Sequence, residues 1–165
     1  MLTPRIGFCW ATVSESPSFQ DGWRKARFSS AKEMPSVIEA VVNLMAELGY
    51  PKKDIFGVHL MLEESIINGI KHGHRNDPTK QVEVRYRISQ EYVLVEVEDE
   101  GPGFVLSLVP DATAPENLDN PSGKGLLLIR HYATWVRFNN WGNCMTICKC
   151  PATLLSVTAG RTCGS

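Results

Sequence analysis

LEESIINGIKHG, residues Leu62–Gly73, is the stretch around which the predicted fold is organised. At about 100° per residue, a helix places its apolar side chains, together with the preceding Ile55, on one stripe that faces a core. Glu64, Asn68 and Lys71 fall within a wedge of roughly 60° on the opposite side. The stretch therefore predicts an amphipathic helix with three polar side chains grouped on one face.

Apolar residues and a glycine border this polar wedge, whereas the outer face of a fully solvated helix would be bordered by polar residues. Gly57, Leu60 and Met61 lie in or beside it, so we expect the helix to be covered on both sides. Polar groups under such cover need partners, because burying them unpaired costs several kcal/mol. We interpret the wedge as one wall of a polar ligand site, although Glu64 alone would be an ordinary exposed carboxylate. His59, beside the apolar stripe, is expected to pack rather than to bind a ligand.

Length and composition predict one folded domain. The chain has 165 residues, and its 17 basic and 18 acidic residues give a net charge of −1, which argues against direct binding of nucleic acid. No apolar run approaches the roughly 20 residues of a membrane span, and the N-terminal IGFCWATV is too short for a signal peptide. The five cysteines lack zinc-like spacing, so we expect a reduced, cytoplasmic protein without membrane association.

The remaining periodicities predict an order of helices and strands. We expect a loosely ordered N-terminal arm at 1–25, one domain at 26–151, and a C-terminal tail at 152–165. The unpatterned segment 104–121 is typical of a functional or mobile loop. Helices are predicted at 35–48, 51–73 and 126–132, and strands at 26–29, 82–88, 93–98, 135–138 and 144–150.

An aspartate at the end of one predicted strand has the parity of buried residues. Asp99 continues the alternation of the apolar side chains in 93–97, so its carboxylate is predicted to point inward. That position requires a hydrogen-bond donor. Gly101 and Gly103 follow and would let a flat ring approach, which suits the donor edge of a purine. Taken alone, the motif would be an ordinary turn.

A second glycine motif, Gly123-Lys124-Gly125, opens the next predicted helix. Free backbone amides and the positive end of the helix dipole favour a phosphate there, and Lys124 adds charge. Asn68 offers a neutral oxygen for Mg²⁺. Glu64, one turn earlier, is placed to orient or deprotonate an attacking hydroxyl or water.

Together these motifs resemble the N, G1 and G2 boxes of the GHKL ATPase superfamily. The matching residues are ESIIN at 64–68 with His72-Gly73, DEGPG at 99–103, and GKG at 123–125. Their close spacing and the run SGKGLLLIRHYATWVRF are most similar to the bacterial anti-sigma-factor serine/threonine kinases. The resemblance covers about residues 27–151, and it departs at Gly69, where alanine is common.

The resemblance implies an α+β fold, a two-layer sandwich of a mixed, mostly antiparallel sheet with helices on one face. It also implies an ATP or ADP site with Mg²⁺ under a mobile lid. By position, Glu64 resembles the catalytic base, Asn68 the Mg²⁺ ligand and Asp99 the adenine-binding carboxylate. Gly101 and Gly103 would shape the adenine end. Gly123, Lys124 and Gly125 match the phosphate-binding hinge, and Lys71 more loosely matches a phosphate-binding position.

The implied function is phosphorylation of an anti-sigma-factor antagonist, which would regulate a sigma factor. One alternative is a module that only binds nucleotide and sequesters a regulator. Another is the catalytic half of a split histidine kinase. The partner's identity and the existence of a homodimer stay open at this stage.

Overall fold

A computed structural model describes residues 22–75, 77–103 and 124–154. A 3₁₀ turn at Ala31–Glu33 leads into the first helix, and a π-helical turn at Gly69–Gly73 extends the second. The helices are α1 (Met34–Glu47), α2 (Lys52–Asn68) and α3 (Lys124–Tyr132). The strands are β1 (Arg24–Phe28), β2 (Val82–Ile88), β3 (Val93–Asp99), β4 (Trp135–Phe138) and β5 (Cys144–Lys149).

The five strands form one sheet in the order β1-β2-β3-β5-β4. Each pairing among these strands is antiparallel, whereas the resemblance implied a mixed, mostly antiparallel sheet. The combination of helices with this sheet confirms the predicted α+β class. The predicted loop at 104–121, Gly123, most of the N-terminal arm and most of the C-terminal tail lie outside the described residues.

The core lies between the inward face of the sheet and the helices. Alternate residues of β2 and β3 are buried, as the period of two predicts. The best-covered side chains from the sheet and from α1 and α2 include Val41, Met45, Leu62, Ile66, Val82, Val84 and Val93. His59, predicted to pack, is exposed instead, because α2 turns Val58 and Leu62 toward the core.

The outward face of the sheet carries paired charges. Arg85 Nε donates to Glu96 Oε2 over 2.8 Å, and Arg85 Nη1 donates to Glu98 Oε2 over 2.9 Å, so this arginine pairs with both glutamates across the hairpin. Arg87 lies opposite Leu94 rather than a glutamate.

Local sequence signals explain where α1 begins and ends. Ser30 Oγ accepts a hydrogen bond from Lys32 N over 3.3 Å and caps the 3₁₀ turn that leads into α1, and Pro35 lies in the first turn of α1 itself. Beyond the other end, Gly49 has a φ of +79°, a left-handed conformation that glycine adopts without strain. Among the described residues, no helix has both the length and the hydropathy to cross a bilayer.

A buried ion pair joins the start of α2 to the end of β5. Lys149 Nζ lies 3.1 Å from Asp54 Oδ1, and the Asp54 side chain is only 3% exposed. Asp54 Oδ2 also accepts a hydrogen bond from the Ala152 amide over 2.9 Å. The carboxylate is thus satisfied on both oxygens, and it holds the chain that leaves the sheet against the helix layer.

We predict that Asp54→Ala destabilises the protein, because it leaves the Lys149 ammonium and the Ala152 amide without their acceptor. The expected loss is near the lower end of roughly 3–5 kcal/mol, since Lys149 keeps partial access to water. Urea denaturation should show this loss of stability as a lower unfolding midpoint, while the dependence of the unfolding free energy on urea concentration stays unchanged. Glu39→Ala, at an exposed position of α1, is the control and should change stability by less than about 0.5 kcal/mol. Equal stabilities of the two variants would contradict the prediction.

Candidate functional site

The candidate site lies around the carboxyl end of α2, where the end of β3 and the start of α3 approach it. On the α3 side, an ideal Cβ at Gly57 would lie 2.7 Å from the Tyr132 ring. On the β3 side, Gly69 and Gly73 lie against Asp99. Helix α2 is therefore covered on both sides, as the glycine and apolar residues beside its polar wedge predict.

Glu64 and Asn68 lie together beside the first turn of α3. An ideal Cβ at Gly125 would lie 2.5 Å from Glu64 Oε2 and 3.4 Å from Asn68 Nδ2. Both side chains are half-buried. Glycine at position 125 thus leaves the space that the Glu64 carboxylate occupies, and the structure brings these three predicted residues together.

Asp99 points inward from the last position of β3, opposite Val82. An ideal Cβ at Gly73 would lie 2.8 Å from Asp99 Oδ2, and one at Gly101 would lie 2.6 Å from Asp99 Oδ1. The Gly101 amide donates a hydrogen bond to Asp99 Oδ1 over 2.8 Å. The carboxylate therefore lies in a cradle of glycine backbone that any side chain at these positions would fill.

Burial raises the pKa of the Asp99 carboxyl above its usual range, and the Gly101 hydrogen bond opposes this rise only in part. A half-buried carboxylate whose charge is disfavoured gains from a ligand that donates hydrogen bonds to it. The exocyclic amino group of adenine is such a donor. The surroundings of Asp99 therefore fit the predicted nucleotide base.

Two residues that the sequence analysis did not identify hold the backbone around Asp99. Asn143, in the turn between β4 and β5, accepts from the Asp99 amide through its carbonyl oxygen over 2.9 Å. Its side chain Nδ2 also donates to the Asp99 carbonyl oxygen over 2.9 Å. His74 Nε2 accepts from the Glu100 amide over 3.1 Å. No periodicity marks either residue, because both act through contacts between distant parts of the chain.

The other predicted site residues are less tightly placed. Gly103 has a φ of +74° and packs against the backbone of Trp141. Lys71, on the π-helical turn, and Lys124, the first residue of α3, are exposed. Gly123 lies outside the described residues. Contacts of Lys71, Gly123 and Lys124 with phosphate groups, and of Gly103 with adenine, therefore stay predictions.

The side chains of the candidate site fit Mg²⁺ only if a bound nucleotide supplies further ligands to the metal. Within 22–75, 77–103 and 124–154, no three His, Cys, Asp or Glu side chains are grouped as a metal site. The oxygen of the Asn68 amide is a suitable hard ligand, and Mg²⁺ commonly completes its shell with water and phosphate oxygens. Asn68 thus fits a metal that arrives with a nucleotide.

Comparison with known proteins finds a matching family profile and a related protein. The sequence profile described as "Histidine kinase-like ATPase domain" matches residues 29–149. The protein named "Serine-protein kinase RsbW" from Oceanobacillus iheyensis is 22% identical over a 99-residue alignment, and the match covers 56% of this chain and 63% of that protein. The match therefore spans less than two thirds of that relative.

Among solved structures, the chain is similar to the RsbU and RsbW domains of Rv1364c from Mycobacterium tuberculosis. The TM-score is 0.50 with 15% identity, and the match covers 76% of this chain and 31% of that one. A structural similarity at 15% sequence identity establishes a shared fold.

We predict that Asp99→Asn raises stability at neutral pH. Because the pKa of Asp99 is raised in the folded state, its ionised form opposes folding above that pKa. This cost disappears as the pH falls below the ordinary aspartate range, where the group is protonated in both states. Urea denaturation should therefore show a gain for Asp99→Asn at neutral pH that shrinks in acid.

Asp77→Asn is a control of opposite sign. Hydrogen bonds from the side chain and amide of Thr79 hold the pKa of Asp77 below its usual range. The ionised Asp77 therefore favours folding above the ordinary aspartate range, and Asp77→Asn should lose a little stability at neutral pH and less in acid. If Asp99→Asn instead lost stability at neutral pH, the prediction would be wrong, because other groups would then compensate the buried charge of Asp99.

Proposed function

Since the chain belongs to the histidine kinase-like ATPase domain family, we propose that it is an ATP-dependent serine/threonine protein kinase that phosphorylates an anti-sigma-factor antagonist. Through that antagonist it regulates a sigma factor, and it acts in the cytoplasm. The family supports the nucleotide, and the similarity to a serine-protein kinase supports the class of acceptor. Both protein partners are part of the proposal.

The observation that carries the proposal is the meeting of three separated segments at one end of α2. Gly125 brings the start of α3 against Glu64 and Asn68. Gly73 brings the end of the same helix against Asp99. The Asp99 carboxylate therefore lies at one end of the site, where adenine would bind. The Glu64 carboxylate and the Asn68 amide oxygen lie toward the other end. This division suits a nucleotide that lies along the helix end.

Each residue has a distinct role in the proposed transfer. Asp99 accepts a hydrogen bond from the amino group of adenine, and Gly101 keeps the carboxylate oriented. Asn68 holds Mg²⁺, and the first amides of α3 face the phosphates with the positive end of the helix dipole. Bound Mg·ATP supplies the phosphoryl group and neutralises its charge.

Glu64 acts as the general base in this proposal. It accepts the proton of the attacking serine or threonine hydroxyl, whose oxygen forms the new bond to the γ-phosphorus while the bond to ADP breaks. Glu64 lies one turn before Asn68 on the same face of α2, and both lie across from Gly125, which supports neighbouring roles as proton acceptor and metal ligand. Positioning and charge neutralisation supply most of the acceleration.

We predict that Glu64→Gln keeps nucleotide binding but loses most phosphoryl transfer, because the amide cannot accept the proton. A loss of about 10²–10⁴-fold is expected for a general base. Asn68→Ala should abolish transfer through loss of the metal ligand. Incubation with radiolabelled ATP and candidate antagonist proteins measures phosphoprotein, and calorimetry with ADP and Mg²⁺ measures binding.

Glu63→Gln, at the neighbouring position of α2, is the matched control and should transfer phosphate normally. If the wild-type protein binds nucleotide but labels no antagonist on serine or threonine, the protein is a nucleotide-dependent binding module. Acid-labile label on a partner would instead indicate a split histidine kinase.

We also predict different effects of alanine at two glycines that lie against Asp99. Alanine at position 73 would displace the carboxylate, whereas a Cβ at Gly69 would lie 3.2 Å from Val82 Cγ2 and 3.4 Å from Asp99 Cβ, which a small shift relieves. Gly73→Ala should weaken ADP binding more than about tenfold, because a hydrogen bond to a charged group is worth roughly 1.5–3 kcal/mol. Gly69→Ala should retain the affinity. Calorimetry that gave equal affinities for the two variants would rule out this account of the cradle.

A further inference from the structure

His74 joins the end of the π-helical turn to the turn that follows Asp99. Its backbone amide donates to the Gly69 carbonyl oxygen over 2.8 Å, which closes the π-helical turn. Its side chain accepts, through Nε2, the hydrogen bond of the Glu100 amide over 3.1 Å. The residue is only 2% exposed. A single buried imidazole thus fixes the spacing between helix α2 and the residue next to the candidate adenine ligand.

The hydrogen bond at Nε2 determines the tautomer of this ring. A nitrogen that accepts from an amide carries no proton, so the proton of the neutral imidazole is on Nδ1. That atom is buried and has no hydrogen-bond partner within the described part of the chain. Such unsatisfied buried donors are rare and costly. The fold tolerates this cost at a position where the same ring supports the turn after Asp99.

The turn that His74 supports sets the direction of the Asp99 carboxylate. Glu100 is held on two sides, since its amide donates to His74 and its Oε2 accepts from the Gln81 amide over 2.9 Å. The next amide, Gly101 N, donates to Asp99 Oδ1. Release of the Glu100 amide would let the Gly101 donor turn away and would free the carboxylate to rotate.

We propose that neutral His74 is a positioning residue for Asp99, and that protonation of its Nε2 releases the turn and weakens nucleotide binding. This inference rests on the proposed function, because it assigns His74 to the same nucleotide site. An imidazolium has N–H groups at both nitrogens, so Nε2 would then face the Glu100 amide donor to donor. The bond that holds the turn cannot survive that change.

Charged and titratable groups from several elements surround His74. Asp99 and Glu100 approach from the end of β3, and Asp77 and Lys80 lie in the connection to β2. On the π-helical turn, Lys71 and His72 are exposed to solvent. Among these groups, the Glu100 amide is the one that donates to the ring, and it needs the neutral imidazole as its acceptor.

The test compares the pH dependence of ADP affinity in wild-type protein and His74→Gln. Glutamine places a side-chain oxygen at about the reach of Nε2 and does not titrate in this range. Wild-type affinity should therefore fall more steeply than that of His74→Gln between about pH 8 and pH 5.5. Protonation of the nucleotide itself is common to both proteins and cancels in the comparison. His59→Gln, at an exposed position of α2, should keep the wild-type profile.

His74→Leu removes the acceptor altogether. It should weaken ADP binding at every pH by on the order of tenfold, because the Glu100 amide loses its partner. If His74→Leu does not fold, the comparison of wild type with His74→Gln decides alone. Equal pH profiles for wild type and His74→Gln, or unchanged affinity in folded His74→Leu, would overturn the role of His74 while leaving the nucleotide site intact. Absence of any ADP binding by the wild-type protein would instead overturn the proposed function.

Discussion

Close approach of the Asp99 carboxylate to bare backbone is the constraint on which the candidate site depends. Gly73 at the end of the π-helical turn and Gly101 after β3 both lie where a Cβ would meet the carboxylate. The sheet and the helix layer can therefore meet at this end only if both positions lack side chains. The half-buried charge that results is disfavoured, as the raised pKa of Asp99 shows. Sites that bind ligands commonly carry such a cost, which the ligand offsets.

The same use of glycine brings the third helix to the site. Gly57 accommodates the Tyr132 ring and Gly125 accommodates the Glu64 carboxylate, so α2 and α3 approach closely at two levels. Helix α2 is consequently packed against the sheet on one side and against α3 on the other. Its polar residues Glu64 and Asn68 are half-buried between the two. A π-helical turn follows them, an irregularity that often occurs at functional sites.

The sequence predicted a large part of this arrangement. The period of 3.6 located α1 and α2, and the period of two located the β2–β3 hairpin with Asp99 on its inward face. The glycine and apolar residues beside the polar wedge predicted cover on both sides of α2. The resemblance to GHKL ATPases added the roles of Asp99, Asn68 and Glu64, and the family match supports the fold and the nucleotide class. Exposed His59 was predicted wrongly, because its neighbour Val58 takes the core-facing position.

By itself, then, the sequence determined which side chains form the core-facing stripe of α2 and the inward face of the β2–β3 hairpin, since that depends on local backbone geometry. The tertiary structure alone decided which distant backbone groups meet. Asn143 binds the backbone of Asp99, and His74 supports Glu100, although the residues of each pair are far apart in the chain. The π-helical turn likewise replaces the regular helix that the sequence predicts. Such contacts arise when the layers close on one another, and no local period records them.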